Sequence, residues 1–248
     1  MNILVCISNV PDTTSKINFV ESDTEFDTQG VQFIINPNDE FGLTRAVWLQ
    51  QKQGAKITVL TVGDASCEPI LRKCLAIGAD QAVRIDLEAT DGYTVAKAIS
   101  DYAKSLSFDL IITGRESIDY NGGMVPGMLA GLLQIPYVIN CNGLEVEGDE
   151  VKATREIDGG IEKLSAKLPL LIAAQKGLVE EEDLIIPNMR GIMQARKKPL
   201  EVVSATAESP YTSTVRFEKP QPKGAVKLVD ADDLDTLIDL LQNEAKVL

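Results

Sequence analysis

The sequence predicts an α/β fold: a mainly parallel sheet with antiparallel additions and an extended C-terminal arm. Apolar runs rich in β-branched residues, such as residues 2–7 and 56–62, have the length and composition of buried parallel strands. Segments with helical spacing of apolar residues, such as residues 68–77, alternate with these runs, as in βαβ units. After residue 141 the pattern changes to short strands with hairpin-like turns, which predicts antiparallel additions to the sheet.

The other elements follow in chain order from the same patterns. A short strand at residues 31–35 ends at Asn36-Pro37-Asn38-Asp39, where Asn38 or Asp39 can cap the next helix. Glycines follow the first two predicted helices at positions 54 and 78, where they are suited to end them. Further strands are expected at residues 82–85, 110–113 and 137–141, helices at residues 91–106 and 124–133, and antiparallel additions at residues 144–146, 151–156, 161–166 and 170–174.

The chain is expected to divide into an α/β domain at residues 1–186 and an arm at residues 187–248. The arm is polar at residues 204–214, has a possible strand at residues 215–219, and ends in a predicted helix at residues 230–246. Because about 50 residues of weak structure separate this helix from the domain, a partner subunit is an attractive place to bury its apolar stripe. That stripe consists of Leu234, Leu237, Ile238, Leu241 and Ala245.

Composition excludes several classes of function. The net charge of −13 disfavours nucleic acid and anionic membranes as partners. The chain has no histidine, which removes the commonest general base and metal ligand, so neither a hydrolase triad nor a metal site is expected. Redox chemistry carried by a bound flavin needs no histidine, because the cofactor supplies the reactive group.

Several further features predict a cytoplasmic protein with reduced thiols. The four cysteines form no C-x-x-C pair and are interpreted as buried small side chains. The N-terminus lacks a basic leader region, and no apolar run approaches the roughly 20 residues of a membrane helix.

Three segments could carry a function. The loop from Gly114 to Val125 follows an apolar strand and leads into a helix, a geometry that suits a phosphate, although an ordinary strand-to-helix turn would look the same. Asn36 stands at a neighbouring strand end, where its amide can bond an adenine edge or a ribose hydroxyl, or serve only the turn. A basic stretch with interleaved methionines, residues 189–198, suits a docking surface for acidic partners, although most charge runs are only solvated faces.

These segments occur in the order seen in electron-transfer flavoprotein β subunits, and the chain resembles that family over nearly its whole length. The motifs are I-L-V-C-I-S-N-V-P-D, I-N-P-N-D-E, L-R-K-C-L-A-I-G-A-D, the G-R-E-S-I-D loop, R-E-I-D-G-G and I-M-Q-A-R-K-K-P. The pair formed by R-E-I-D-G-G and the later basic motif is highly specific, whereas each earlier motif alone is weak.

The resemblance implies a Rossmann-like domain with an arm that wraps an α subunit. It implies AMP, or a second FAD in electron-bifurcating members, bound across the strand ends, and an FAD held mainly by the α subunit near the interface. The implied nucleotide contacts are Cys6, Asn36, Pro37, Asn38, Asp39, Val62, Gly114, Asp119, Asn121, Gly122, Gly123, Met124 and Val125. The implied dehydrogenase-docking residues are Met189, Ile192, Met193, Arg196 and Lys197.

The chain departs from the family in its phosphate loop and near its docking loop. Asn121 replaces a carboxylate and Met124 replaces the usual glutamine. Residues 179–183 replace the usual N-E-P-R-Y, and Met189-Arg190 stands where leucine-proline is usual.

The main hypothesis is therefore a non-enzymatic electron carrier that transfers electrons from acyl-CoA-type dehydrogenases to a quinone-linked acceptor. One alternative is a bifurcating relative with a second FAD. Another, of a different class, is a free-standing nucleotide-binding regulatory protein.

Overall fold

Thirteen strands and six α-helices are present in a computed structural model that describes residues 1–206, 208–222 and 224–248. The strands are β1 (Asn2–Cys6), β2 (Asn9–Pro11), β3 (Phe19–Val20), β4 (Glu25–Phe26), β5 (Phe33–Ile35), β6 (Lys56–Val62), β7 (Gln81–Asp86), β8 (Leu110–Gly114), β9 (Tyr137–Glu147), β10 (Glu150–Ile157), β11 (Gly160–Lys167), β12 (Leu170–Ala174) and β13 (Leu200–Ser204). The helices are α1 (Pro37–Gln53), α2 (Glu68–Ile77), α3 (Gly92–Lys104), α4 (Met124–Leu133), α5 (Met189–Ala195) and α6 (Leu234–Asp239).

Nine strands form one sheet in the order β11-β10-β9-β12-β8-β1-β6-β7-β13. The pairs from β9 through β13 along this order are parallel, and β10 and β11 continue the sheet from β9 as an antiparallel meander. The chain runs outward from β1 in one direction through β6 and β7, and β8 then begins the other half on the opposite side of β1. The carboxyl ends of β1 and β8 therefore meet at the point where the strand order reverses, which is where ligands bind in such sheets.

Helices cover both faces of the parallel strands. Helices α1 and α2 pack on one face and α3 and α4 on the other. Strand β1 shows the consequence, because Ile3 and Val5 belong to one buried cluster while Leu4 and Cys6 belong to the other. A strand buried on both faces needs a continuous apolar run, which is why the parallel strands stand out in the sequence.

The predicted α/β fold is confirmed, and most element positions agree with the patterns. Helix α4 and strand β12 have the predicted bounds, and Gly54 ends α1 in the left-handed region with a φ of 69°. Helix α1 begins earlier than expected: Pro37 is its first residue, with Asn36 rather than Asn38 or Asp39 in the capping position. Proline suits this place because its fixed φ is helical and the first turn needs no N–H.

Strand β12 was wrongly grouped with the antiparallel additions. It is parallel to both β8 and β9 and lies inside the sheet, where all five of its residues are buried. Its alternation-free apolar sequence, Leu170–Ala174, is that of a strand buried on both faces.

The C-terminal part of the chain differs from the predicted elements. Strand β13, which had not been expected, pairs with the edge strand β7, and α5 packs on α2, so both extend the α/β body beyond residue 186. Residues 215–219 form no strand, and the last helix is shorter than predicted, with α6 followed by a π-helical turn, Leu240–Glu244. Leu234, Leu237 and Ile238 of the predicted stripe are exposed.

Candidate functional site at the carboxyl edge of the sheet

The residues proposed from sequence to hold a nucleotide meet at one edge of the sheet. Cys6, Val62 and Gly114 are the last residues of β1, β6 and β8, which are adjacent strands. Because these strands are parallel, all three residues lie at the carboxyl edge, beside the point where the strand order reverses. We call the space above this edge the crevice.

Asn36 ties the loop after β8 to the start of α1. Its side chain is completely buried, its Nδ2 donates to the Glu116 carbonyl oxygen at 2.9 Å, and its Oδ1 accepts from the Ile118 N–H at 3.2 Å. Asn38 Nδ2 donates to the same Glu116 carbonyl at 3.2 Å. Both ends of the Asn36 amide are thus engaged with the loop, so its role in this structure is to position the loop.

Gly114 permits this close packing because it has no Cβ. A Cβ placed there would stand 2.3 Å from Asp39 Oδ1, 2.9 Å from Asn36 Nδ2 and 2.9 Å from the Cβ of Asn38. Contacts below 3 Å are excluded for carbon atoms, so only glycine allows the end of β8 to lie against the first turn of α1.

Asp39 joins the same cluster as a buried carboxyl. Its Oδ2 accepts a hydrogen bond from the backbone N–H of Ser8 at 2.7 Å, which fixes the chain just after β1. Burial raises the pKa of this carboxyl to about 7, against the lowering effect of hydrogen bonds from Ser8, Asn36 and Gly114. The carboxyl therefore changes charge near neutral pH, within the wall of the crevice.

The Cys6 thiol lies beside this carboxyl. Burial, and secondarily the charge of Asp39, raise the pKa of Cys6 well above its ordinary value, so the thiol stays protonated and unreactive. The small side chain thus serves as an apolar floor for the crevice.

The loop after Gly114 is a narrow turn held by its own backbone. Ser117 and Gly122 exchange two backbone hydrogen bonds of 3.2 Å, and Asp119 Oδ1 accepts from the Ser117 hydroxyl and from the Tyr120 N–H at 2.8 Å. Asn121 has a φ of 50°, in the left-handed region that asparagine tolerates better than most residues.

This loop delivers the N-terminus of α4 to the crevice. Gly123 occupies the capping position, and no side chain caps the helix. The backbone N–H groups of Met124 and Val125, in the first turn, are therefore available as hydrogen-bond donors. A Cβ at Gly123 would make a tight contact of 3.2 Å with the Arg115 carbonyl oxygen. Free N–H groups at a helix N-terminus beside a glycine turn fit a phosphate group.

Two crevice residues were not among those predicted. Ser8 supplies the N–H that binds Asp39, and Cys67, the residue immediately before α2, receives the Asn9 side-chain N–H at 3.7 Å. A Cβ at Gly63 would lie 2.6 Å from Cys67 Sγ, so this thiol packs tightly on the end of β6. Ser8 directly follows the predicted strand at residues 2–7, which was a usable signal, whereas Cys67 lies five residues beyond the predicted strand at residues 56–62.

The residues implied for dehydrogenase docking lie apart from the crevice, on and after α5. Met189, Ile192 and Met193 are exposed, as are Arg196 and Lys197. The segment is fixed to α2, because Arg72 donates to the carbonyl oxygens of Ala195 at 2.8 Å and Lys198 at 2.9 Å. We call Met189, Ile192, Met193, Arg196 and Lys197 the α5 surface.

A cavity of about 690 Å³ lies at the opposite, amino-terminal edge of the sheet. Met1, Asp109 and Pro169, which precede or begin parallel strands, line it. It is therefore separate from the crevice. Over the described ranges 1–206, 208–222 and 224–248, no helix is both long and apolar enough to span a bilayer.

Comparison with known proteins agrees with this architecture. The family model "Electron transfer flavoprotein domain" matches residues 23–208. The "Electron transfer flavoprotein subunit beta" of Bacillus subtilis is 37% identical over 262 positions that cover 100% of both chains. Proteins of the same description from Syntrophomonas wolfei and Bos taurus are 31% and 32% identical, covering 100% and 94% of this chain and 98% and 95% of their own. With a family model across residues 23–208 and relatives aligned along nearly their full length, the chain belongs to the electron transfer flavoprotein family as a β subunit.

Proposed function

We propose that this chain is the β half of a heterodimeric electron carrier, with AMP in its own crevice and an FAD enclosed between it and an α subunit. The proposal gives it no catalytic residue of its own. When bound, the flavin supplies the electron-carrying chemistry, between acyl-CoA-type dehydrogenases and a quinone-linked acceptor in the cytoplasm.

The proposal that this chain binds a nucleotide rests on the crevice. The uncapped N-terminus of α4 presents donors suited to a phosphate, and α4 follows β8, which lies beside β1 in the sheet. Adjacent strands are roughly 4.8 Å apart, so a nucleotide with its phosphate at α4 extends its ribose and base across the ends of β8 and β1.

Within the crevice the residues divide by role. The backbone at Gly122, Gly123, Met124 and Val125 binds the phosphate, while Asn36, Asn38 and Asp39 hold the loop in place. The first group contacts the ligand and the second acts through the loop, so substitutions in the two groups differ in what they change.

The α5 surface carries the dehydrogenase part. Met189 and Met193 are 74% and 66% exposed and are flanked by Arg196 and Lys197. Flexible apolar side chains bounded by cations suit an acidic partner with an apolar pocket. The almost entirely exposed end of the arm, residues 224–248, with its apolar stripe on α6, is proposed to pack on the α subunit.

The test is to purify the chain with its α subunit, denature the complex, and identify the released nucleotides by mass. We expect one AMP and one FAD per heterodimer. A β chain that stays monomeric beside its α chain, in a mixture without flavin, would overturn the proposal.

A matched pair of variants on α4 tests the phosphate position. Gly123→Val places a branched side chain beside the Arg115 carbonyl at the mouth of the helix, so AMP content should fall while FAD and heterodimer are kept. Gly131→Ala is the control on the same helix, since a Cβ there meets no atom within 4 Å. Equal AMP content in both variants would contradict this position.

The bifurcating alternative has one observation in its favour. Two successive glycines, Gly122 and Gly123, give a glycine-rich backbone whose N–H groups could accept a pyrophosphate. Two FAD molecules and no AMP per heterodimer would establish this alternative in place of AMP.

A further inference from the structure

The segment of residues 211–219 is anchored at both of its ends to loops that surround the crevice. At the first end, Asp91 Oδ2 accepts hydrogen bonds from the backbone N–H groups of Tyr211 at 2.8 Å and Thr212 at 3.1 Å. The Tyr211 ring packs edge-on against Tyr93, with centroids 4.5 Å apart. Just before this end, Glu208 pairs with Lys97 of α3 at 3.2 Å.

The second end contacts the chain segment between β2 and β5, residues 12–32. Phe217 stacks on Phe19 with ring centroids 4.6 Å apart and an interplanar angle of 5°. The Phe217 N–H donates to the Asp23 carbonyl oxygen at 2.7 Å, and Lys219 Nζ donates to Asn18 Oδ1 at 3.0 Å. Backbone, aromatic and polar contacts therefore coincide at this end.

The segment also meets the tip of the phosphate loop. The ring of Tyr120 lies 6.5 Å from that of Phe217, centroid to centroid. The loops contacted by residues 211–219 thus follow β7, β8 and the β1–β2 run, all at the carboxyl edge.

The strand order shows what such a bridge crosses. Strand β6 lies between β1 and β7, and β8 lies beyond β1. From residue 212 to residue 217 the chain spans at most roughly 17 Å, and the carboxyl ends of these strands are roughly 4.8 Å apart. By this strand order, a segment that joins the loop after β7 to the loops after β8 and the β1–β2 run has to cross the ends that carry Cys6 and Val62.

We propose that residues 211–219 form a strap across the mouth of the crevice, and that the strap slows exchange of the bound nucleotide. The second clause rests on the proposed function of the crevice. The strap opens when the Phe217–Phe19 and Tyr211–Tyr93 contacts separate, and both lie on the surface, outside the buried clusters. The carboxylate of Asp91 stays in place when the strap opens, because its other oxygen, Oδ1, accepts a hydrogen bond from the Thr94 N–H and so caps α3.

The experiment uses the full-length chain and a double variant, Tyr211→Ala/Phe217→Ala, which removes both ring contacts. Val215→Ala is the matched control: it lies on the same segment, and the Val215 side chain is 84% exposed. Radiolabelled AMP is bound to each protein and chased with excess unlabelled AMP. We expect the dissociation rate to rise on the order of tenfold in the double variant, through the off-rate, and to stay unchanged in the control.

A second readout does not depend on the nucleotide. Trypsin cleaves after Arg216 within the strap and after Lys246 near the C-terminus, which serves as an internal reference. Cleavage after Arg216 should be slow in the original chain and in Val215→Ala, and fast in the double variant. Equally fast cleavage in all three proteins would overturn the strap.

The two proposals fail in different ways. A protected Arg216 in a chain that binds no AMP would overturn the proposed nucleotide site while leaving the strap in place. A protected Arg216 with bound AMP and equal dissociation rates would overturn the role of the strap in exchange.

Discussion

At the scale of single residues, the Asp39 carboxyl predicts how stability depends on pH. Its pKa is about 7 in the folded chain against an ordinary value of 3.8, because it is buried. Between these values the folded state holds the extra proton, so the free energy of unfolding falls as pH rises from about 4 to about 7. Asp39→Asn removes this titration.

Urea unfolding at the two ends of that range measures the effect. Relative to the original chain, Asp39→Asn should gain on the order of 4 kcal/mol between about pH 4 and about pH 8. Asp158→Asn, in the exposed β10–β11 turn, is the control and should show a much smaller change. A variant whose difference from the original chain is the same at both pH values would contradict the titration of Asp39.

Gly114 makes a second prediction at this scale. Gly114→Ala forces a Cβ to within 2.3 Å of Asp39 Oδ1, so the first turn of α1 must move away from β8. Overpacking of this kind costs about 1–3 kcal/mol in the free energy of unfolding. Gly131→Ala in α4 should instead stabilise by about 0.5–1 kcal/mol, since its Cβ is unobstructed. Equal effects, measured by urea unfolding, would refute the close approach at Gly114.

These residues also show which parts of the candidate site could be predicted from the sequence. Cys6, Val62 and Gly114 were placed at the proposed nucleotide site by the resemblance to the family. The apolar runs at residues 2–7, 56–62 and 110–113 only indicated that strands end at or within one residue of them. The two hydrogen bonds of Asn36 were not predictable, because their partners lie 80 and 82 residues away. From the sequence alone, an asparagine that bonds a distant loop cannot be distinguished from one that only forms a local turn.

At the scale of elements, the adjacent residues Lys197 and Lys198 are expected to have different roles: Lys197 in the proposed docking of a partner, and Lys198 in the stability of the fold. Lys198 is half-buried and donates to the carbonyl oxygens of Leu75 at 3.0 Å and Ala79 at 2.6 Å, which satisfies the end of α2. Lys197 is exposed on the α5 surface. Lys198→Met should therefore lower the free energy of unfolding by about 1–3 kcal/mol, because it leaves buried carbonyls unpaired.

Lys197→Met is the matched partner of that variant. Its thermal unfolding should be unchanged within error, while binding to an acyl-CoA-type dehydrogenase, measured by calorimetry, should weaken. Removing one cation from the rim of an interface changes affinity by about 0.2–1 kcal/mol. If Lys197→Met unfolds earlier than Lys198→Met, the division between the two lysines is wrong.

Burial from both sides explains which elements were placed correctly from the sequence. Strand β12 was found at its correct bounds, yet its direction was missed, because an apolar run does not reveal its neighbours in the sheet. Strand β13 was overlooked since it lies on the edge with Glu201, Val202 and Ser204 exposed, and so lacks a continuous apolar run. The last helix was overpredicted, because an apolar stripe indicates helix even where its side chains, such as Leu234 and Ile238, are exposed.

At the scale of the whole molecule, charge is distributed unevenly. The net charge is −13, yet the segment 189–198 carries four basic residues and no acidic one. A cationic patch on an anionic body orients an approaching acidic surface, because the rest of the chain repels it. The α5 surface is therefore suited to attract an acidic partner.

The last prediction concerns how much of the chain the α/β body needs. Because α5 packs on α2 and β13 pairs with β7, the body should extend to residue 204, whereas residues 224–248 are almost entirely exposed. A chain ending at Ser204 should fold with a free energy of unfolding within about 2 kcal/mol of the full chain, since only surface contacts such as the Phe19–Phe217 stack are lost. It should no longer co-purify with the α subunit.

A chain ending at Pro199 also loses β13 and the burial of the β7 edge, so it should unfold at clearly lower urea concentration. If the chain ending at Ser204 is as unstable as the shorter one, the arm is part of the folding unit, and its proposed role as a separate partner-binding element falls.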